Sequence, residues 1–114
     1  MSSKISFEGI GEVVATFICG EGVVAGQAVK VTADGTVGSC SAGEKICGVA
    51  LSAEDGYAAV QLGGLVKVPT SGGSITHGWC KLSADGTGGM KLDTSAGTEY
   101  LVVRVETDAA VICL

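Results

Sequence analysis

Apolar and polar residues alternate with a period of two along much of this chain. Clear examples are Val66-Lys67-Val68 and Met90-Lys91-Leu92. Successive side chains of a strand point to opposite faces, so this period indicates half-buried strands and not helices. Glycine accounts for 19 of the 114 residues and leaves almost no uninterrupted window for a helix. The pattern predicts ten short strands, at 11–19, 27–33, 36–39, 45–52, 57–63, 65–69, 78–83, 88–92, 99–106 and 109–114.

Turn-forming residues, several of them Asp-Gly or Gly-Gly pairs, separate these segments. Short strands separated by turns at intervals of about 8–12 residues are typical of sandwiches and barrels. The fold class we expect is therefore all-β, a small barrel or sandwich of about 8–10 short strands. By length, residues 11–114 form one β-barrel-like domain. Residues 1–10 are mostly polar and predict an N-terminal arm that orders on a partner; a frayed terminus with Phe7 on the core is the alternative.

One seven-residue pattern occurs twice, at Lys30–Thr36 and again at Lys81–Thr87. Each copy holds an Asp-Gly pair, which predicts a tight type I′ hairpin turn with positive φ at both central residues. A weaker similarity relates 47–52 to 101–106, and 57–62 to 109–114. The repetition predicts two similar β-lobes that close into one barrel-like core. A coincidence of common turn residues is the alternative.

The charge of the chain argues against two classes of partner. The net charge is −5, and the seven basic residues are scattered. Nucleic acids and anionic membrane surfaces bind clustered basic side chains, so neither is expected as a partner. No apolar stretch approaches the ~20 residues of a membrane span, and residues 1–8 lack the apolar core of a secretory signal. The expected location is the cytoplasm in which the chain is made.

The composition is unusually apolar for a small domain. Apolar residues make up 46% of the chain and charged residues 17%, against about 25% charged in an average globular domain. We therefore expect part of the apolar surface to be covered by a partner or by further copies of the chain.

No residue pattern predicts catalysis or metal binding. The five cysteines are odd in number and lack Cys-x-x-Cys spacing, which favours free thiols that act as small buried hydrophobes. The single histidine, His77, has no neighbouring nucleophile or acid in a known arrangement. Residues 20–26 are rich in glycine, but no helix follows and Glu21 lies where phosphate oxygens would bind. Trp79, the only tryptophan, suits a core or an interface anchor. We expect no enzyme, no cofactor and no metal.

The order of several segments resembles the small phage capsid cement, or decoration, proteins grouped as a domain of unknown function (the DUF2190 family). The resemblance covers nearly the whole chain and is carried by glycine, valine and alanine in β-strand spacing. The segments that carry it are Glu8–Val13, Val24–Val29, Ile46–Leu51, Ala58–Pro69, Thr76–Leu82 and Val103–Val105.

The resemblance implies a structural virion protein that binds the outer face of an assembled phage head, as a homotrimer, with the major capsid protein as its partner. We expect Ile5, Phe7 and Glu8 to contact the capsid, and His77 and Trp79 to lie at the subunit interface. One alternative is a small-molecule-binding β-barrel carrier, which needs a cavity of about 300 Å³ or more with convergent polar groups. Another is a phage tail or head-fibre component.

Overall fold

The computed structural model describes residues 10–71 and 74–114, and these form an all-β fold. The strands are β1 Val13–Cys19, β2 Ala28–Ala33, β3 Thr36–Ser39, β4 Gly48–Glu54, β5 Tyr57–Gly63, β6 Leu65–Pro69, β7 Gly78–Ala84, β8 Met90–Leu92, β9 Thr98–Val105 and β10 Ala109–Cys113. All ten predicted strands are confirmed. The largest error in their bounds is at β4, which begins at Gly48 and not at residue 45. The described part of the chain contains no helical segment that could span a bilayer.

The strands form two sheets, each built from one half of the chain. In the first half the order is β1-β3-β2-β4-β5, and β5 pairs with β1 to close a barrel. The closing pair on the other side of β1 is parallel, between β1 and β3. In the second half the order is β6-β10-β9-β7-β8, and the sheet is open. The prediction of a small all-β barrel or sandwich is confirmed.

The two halves repeat the same connectivity. Adding five to each strand number turns every strand pair of the first sheet into a pair of the second, except β1–β3, whose counterpart β6–β8 is not formed. The register repeats as well. Val49 pairs with Gln61 in the barrel, and Leu101 pairs with Cys113 in the open sheet. Each of these two hairpins skips one residue in its first strand at the same place, Leu51 in one and Val103 in the other. A shared β-bulge at a shared register shows a structural duplication, since bulges are specific features of a sheet.

The halves differ most at the sequence motif that reveals the repeat. In the first copy the Asp34-Gly35 pair makes a tight turn between Ala33 and Thr36. Only Gly35 of that pair has positive φ, so the predicted type I′ turn is wrong there. In the second copy Ala84 pairs with Met90, and five residues form the connection. The tight turn predicted for this copy is also wrong.

The side chain of Asp85 explains the longer loop. One carboxylate oxygen accepts hydrogen bonds from the Thr87 backbone N–H at 2.7 Å, the Thr87 hydroxyl at 2.9 Å and the Gly89 backbone N–H at 3.1 Å. The other oxygen accepts from the Ser71 hydroxyl at 2.9 Å. An aspartate that binds the backbone ahead of it offers the chain an alternative to a strand ladder. The repeated Asp therefore has a different role in each half.

The second half comes close to closing like the first. Gly20 N–H donates to the Val37 carbonyl in the barrel, and Ser71 N–H donates to the Met90 carbonyl in the open sheet. A single parallel bridge, Thr70 to Met90, accompanies that bond. The next hydrogen bond between β1 and β3, the pair that we call the seam of the barrel, runs from the Ile18 N–H to the Gly35 carbonyl. Pro69 occupies the position of β6 that corresponds to Ile18, and it has no N–H. The seam therefore stops after one bridge.

Two apolar clusters replace the single core predicted from sequence. The barrel interior is filled by Val29, Val37, Ala50, Ala58 and Val60, with Phe17 and Leu62 packed against them. The concave face of the open sheet is covered by residues of the first half. Those residues are Ala28, Cys40, Ile46 and Val49. The alignment of 47–52 with 101–106 is also corrected, because the observed register matches Val49 to Leu101.

The halves join where Gly64 links β5 to β6 beside the entering chain. Leu65 N–H donates to the Ile10 carbonyl at 2.8 Å, and Leu114 N–H donates to the Gly64 carbonyl at 2.9 Å. The φ of Gly64 is 84°, and a Cβ added there would lie 2.5 Å from backbone atoms of Ile10 and Gly11. Glycine is needed here for both conformation and space.

We expect Gly64→Ala to lower the free energy of unfolding by about 2–4 kcal/mol, since it adds a backbone clash to the strain of positive φ. Gly43→Ala is the matched control, because Gly43 has φ 87° and open space around its Cβ position. That control should cost only about 1–2 kcal/mol. Urea unfolding of both variants measures the difference, and equal losses would contradict the proposed clash.

The repeated motif supplies a matched pair for a second prediction. Asp85→Asn should lower the free energy of unfolding by about 1 kcal/mol, because charge-assisted bonds are replaced by neutral ones. Asp34→Asn should change it by less than about 0.5 kcal/mol, since the bond at Asp34 uses its backbone carbonyl.

This difference should depend on pH. Partial burial of Asp85 opposes its ionisation, but the bonds from Thr87, Gly89 and Ser71 outweigh burial and hold its pKa below 3.8. A carboxylate with a lowered folded-state pKa stabilises the fold above its unfolded pKa. The advantage of the wild type over Asp85→Asn should therefore be full above about pH 5 and shrink as the pH falls through the folded value. An advantage that grows on acidification would contradict this assignment.

Candidate functional site

Large apolar side chains lie on the outside of this fold while the barrel interior is filled. The five buried residues of the barrel cluster are each 0% exposed. By contrast, ten large apolar side chains of the described residues are exposed: Ile10, Val13, Val14, Ile18, Val24, Val31, Leu51, Tyr57, Trp79 and Leu92. An apolar exterior of this kind marks a contact surface more than a ligand cavity inside the barrel.

The first candidate surface is a groove beside Trp79, which we call the Trp79 groove. The sheet places Trp79 opposite Leu101, and Leu101 opposite Cys113, so the three side chains share one face of the sheet. Together with Ile46, Cys47, Leu62 and Leu114 they line a partly open groove of about 450 Å³. Lys45, Thr98 and Glu99 supply its polar lining. Trp79 is 67% exposed, the largest exposure among the large apolar residues of the described chain.

One wall of the groove is the segment that leads into β4, and hydrogen bonds tie this segment to the second half. Gly43 N–H donates to the Ala84 carbonyl at 2.8 Å, and Ala84 N–H donates to the Glu44 carbonyl at 2.9 Å. The Glu44 carboxylate also binds the Lys30 ammonium at 2.7 Å and the Ser41 backbone N–H at 2.6 Å. The hydrogen bond from Lys30, followed by that from Ser41, lowers the pKa of Glu44. The wall is therefore fixed in place before any partner binds.

The thiols near this wall are suited to packing and not to nucleophilic chemistry. Burial is the main cause that raises the pKa of Cys40 to about 11, and the Glu44 carboxylate raises it further. Burial also raises the pKa of Cys47. A reactive cysteine needs a lowered pKa. The sulfur atoms of all five cysteines are unbridged, as the sequence predicted.

The second candidate surface lies on the barrel, and we call it the Ile18–Tyr57 patch. Ile18 and Tyr57 are direct cross-strand partners of β1 and β5, exposed by 52% and 59%. Val14, on the same face of β1, extends the patch. Two turns flank it, because Ile18 N–H donates to the Gly35 carbonyl and Cys19 N–H donates to the Gly56 carbonyl. These turns and the adjoining end of β4 bring Asp34, Glu54 and Asp55 to the rim of the patch.

The predicted site residues fall in three places. Trp79 lies in the groove, and its exposure excludes the core role that the sequence left open. His77 is exposed just before β7 and is not part of the groove lining. Ile5, Phe7 and Glu8, with the arm itself up to residue 9, lie outside the described residues. Within residues 10–71 and 74–114, no three or more His, Cys, Asp or Glu side chains are grouped so that they could hold a metal ion.

Sequence reasoning missed the Ile18–Tyr57 patch. Val14 and Ile18 lie on the face of β1 opposite Phe17, so the strand is apolar on both faces. Apolar residues on both faces of a strand predict that both faces are covered, in the chain or by a partner. The apolar residues on the second face were the signal that could have identified this patch.

No protein-family model matches the chain, and no curated protein matches it in sequence. The function has to be inferred from the geometry and chemistry of the chain itself.

The exposure of Trp79 predicts its fluorescence. In dilute solution, where the chain is not associated, the emission maximum should match that of tryptophan in water, and acrylamide should quench it efficiently. The signal is unambiguous because Trp79 is the only tryptophan. A blue-shifted, protected emission in the dilute monomer would contradict the exposed position.

Proposed function

We propose that this chain is a structural virion protein that decorates and stabilises a phage capsid, binding the outer surface of the head as a homotrimer. The major capsid protein is its proposed partner, and no catalytic activity is part of the proposal. The observation that carries it is the contrast between a filled barrel and an apolar exterior. A protein whose role is to hold other proteins in place needs outer contact surfaces and a stiff interior.

The shape of the molecule supports the same role. Its principal extents are 41 × 37 × 19 Å, which gives a plate about twice as wide as it is thick. A plate presents two broad faces and a perimeter. One broad face can lie on a lattice while the perimeter contacts sister subunits.

In this proposal residues 1–10 contact the capsid and His77 and Trp79 lie at the subunit interface. The chain enters the described body at the junction between the halves, where the Ile10 carbonyl accepts a hydrogen bond from Leu65. An arm fixed at that point is anchored to both halves, because Gly64 of the same junction also bonds to the last residue of the second half. A pull on the arm would be distributed over both sheets.

The test is binding to purified heads of the phage that encodes the chain. Deleting residues 1–8 should abolish co-sedimentation with heads and leave the circular dichroism spectrum and melting temperature unchanged. In the full-length chain, the double variant Ile5→Ser with Phe7→Ser should also lose binding. Val24→Ser removes an exposed apolar side chain of the barrel half and should bind like the wild type.

Two results would count against the proposal. Unchanged head binding after the deletion would refute the arm. Failure of the full-length chain to bind heads at all would refute capsid decoration, and a tail or head-fibre role would then be tested by electron microscopy of whole virions.

The Trp79 groove favours a second candidate, a small-molecule-binding protein. Its volume of about 450 Å³ exceeds the ~300 Å³ that such a site needs, and its lining is mainly apolar. The groove is partly open and lies outside the barrel, where a protein side chain fits as well as a metabolite. Saturable binding of an apolar dye to the monomer, abolished by Leu101→Arg, would favour this candidate over the first.

A further inference from the structure

We propose that the Trp79 groove of one copy binds the Ile18–Tyr57 patch of a second copy, and that this head-to-tail contact closes into a ring. The inference rests on the self-association proposed above and is independent of capsid binding. It specifies which two surfaces meet.

The internal repeat shows that the face of the sheet in the groove is one that needs covering. Trp79 and Leu101 occupy the register positions that Ala28 and Val49 occupy in the first half. Ala28 and Val49 are 2% and 1% exposed, because the second half packs over them. Among the described residues, the equivalent face of the second half is covered only in part: Leu101 is half-buried, and Trp79 stays 67% exposed. The same structural face is therefore buried once within the chain and open once.

The side chains at these matched positions differ in size, as expected for a face that is buried within the chain and one that is left open. Small residues such as Ala28 allow two sheets of one chain to pack closely. A tryptophan at the matching position projects from the sheet, and tryptophan and tyrosine are the residue types that most often dominate the energy of an interface. Tyr57 has the size to enter a partly open groove lined by aliphatic and thiol groups, with Ile18 and Val14 packing beside it.

The charges around the two surfaces are complementary. Lys45 lines the groove, and Lys81 lies two residues along β7 from Trp79, on the same face of the strand. Glu99, opposite Lys81, is the acidic residue of the groove lining. The rim of the Ile18–Tyr57 patch carries three acidic residues, Asp34, Glu54 and Asp55. Three acidic side chains on one rim face two basic side chains and one acidic side chain on the other, which favours this pairing over patch against patch.

The two surfaces are different parts of the molecule, so the contact is heterologous. The groove is built mainly on β7, β9 and β10, and the patch on β1 and β5. Every copy then offers one groove and one patch. Heterologous contacts either close into rings or continue into filaments, and three copies give the proposed trimer.

The single tryptophan allows the contact to be tested one surface at a time. Trp79→Ala keeps an intact patch and has no tryptophan, whereas Tyr57→Ala keeps an intact groove and the only tryptophan. Each variant alone should associate at least about tenfold more weakly than the wild type in sedimentation equilibrium. Titrating Trp79→Ala into Tyr57→Ala should shift the emission of Trp79 to the blue and protect it from acrylamide. The double variant Trp79→Ala with Tyr57→Ala, which lacks a good patch, should leave the emission unchanged.

Charge reversal tests the pairing of the rims. Lys45→Glu should weaken wild-type association, and adding Glu54→Lys to it should restore association in part. The wild-type contact should also weaken with rising salt. Val24→Ala, which alters an exposed apolar residue outside both surfaces, should associate like the wild type.

Several outcomes would overturn the inference. Wild-type self-association that Trp79→Ala and Tyr57→Ala leave unchanged would place the interface elsewhere, while the proposed trimer would stand. A blue shift in Tyr57→Ala alone would show a groove-to-groove contact. A monomeric wild type at high concentration would remove both the contact and the trimer, and head co-sedimentation of the same sample would show whether capsid binding survives.

Discussion

Each sheet of this protein has to complete its edges with backbone hydrogen bonds, and the two halves meet that constraint in different ways. The first half does so alone, because β3 pairs with β1 and the barrel closes. The second half has the same strand order, but Pro69 lacks the N–H that Ile18 uses, and the Asp85 loop leaves β8 only three residues long. Its seam therefore ends at one bridge, and its concave face stays open to residues from outside the half. The first half fills that face with Ala28, Ile46 and Val49. The failure of one barrel to close is the reason that the two halves form one body.

The strands were predictable from the sequence because each depends on local alternation. The alternation Val66-Lys67-Val68 indicates a half-buried strand in any β fold, and the predicted segment 65–69 matches β6. The repeat was also visible, but its structural content was not. Asp34 and Asp85 stand in the same seven-residue pattern, and only the fold places Ser71 and Gly89 within reach of one of them. Local sequence therefore predicted the tight turn of the first copy with the wrong backbone conformation, and missed the longer loop of the second.

The candidate surfaces depend on register, and this limits what the sequence could show. Trp79 stood out by its residue type, but its partners Leu101 and Cys113 come from strands more than twenty residues away. Whether that face is covered depends on how the halves pack, which alternation does not determine. Tyr57 was harder to identify, because it follows an Asp-Gly turn where exposure carries no functional meaning. Asp55 and Gly56 both have positive φ, so this turn, and neither copy of the repeat, has the backbone signature predicted for the motif.

The closure of the first barrel also bears on how the chain emerges from a ribosome. All five strands of the barrel lie between Val13 and Gly63, so its hydrogen-bonded edges need no residue of the second half, which is synthesised later. The outer positions Ala28 and Val49, against which the second half packs, are therefore set by strands that can pair without it. The order of synthesis therefore agrees with the structural difference between the halves, since the half that closes by itself is made first.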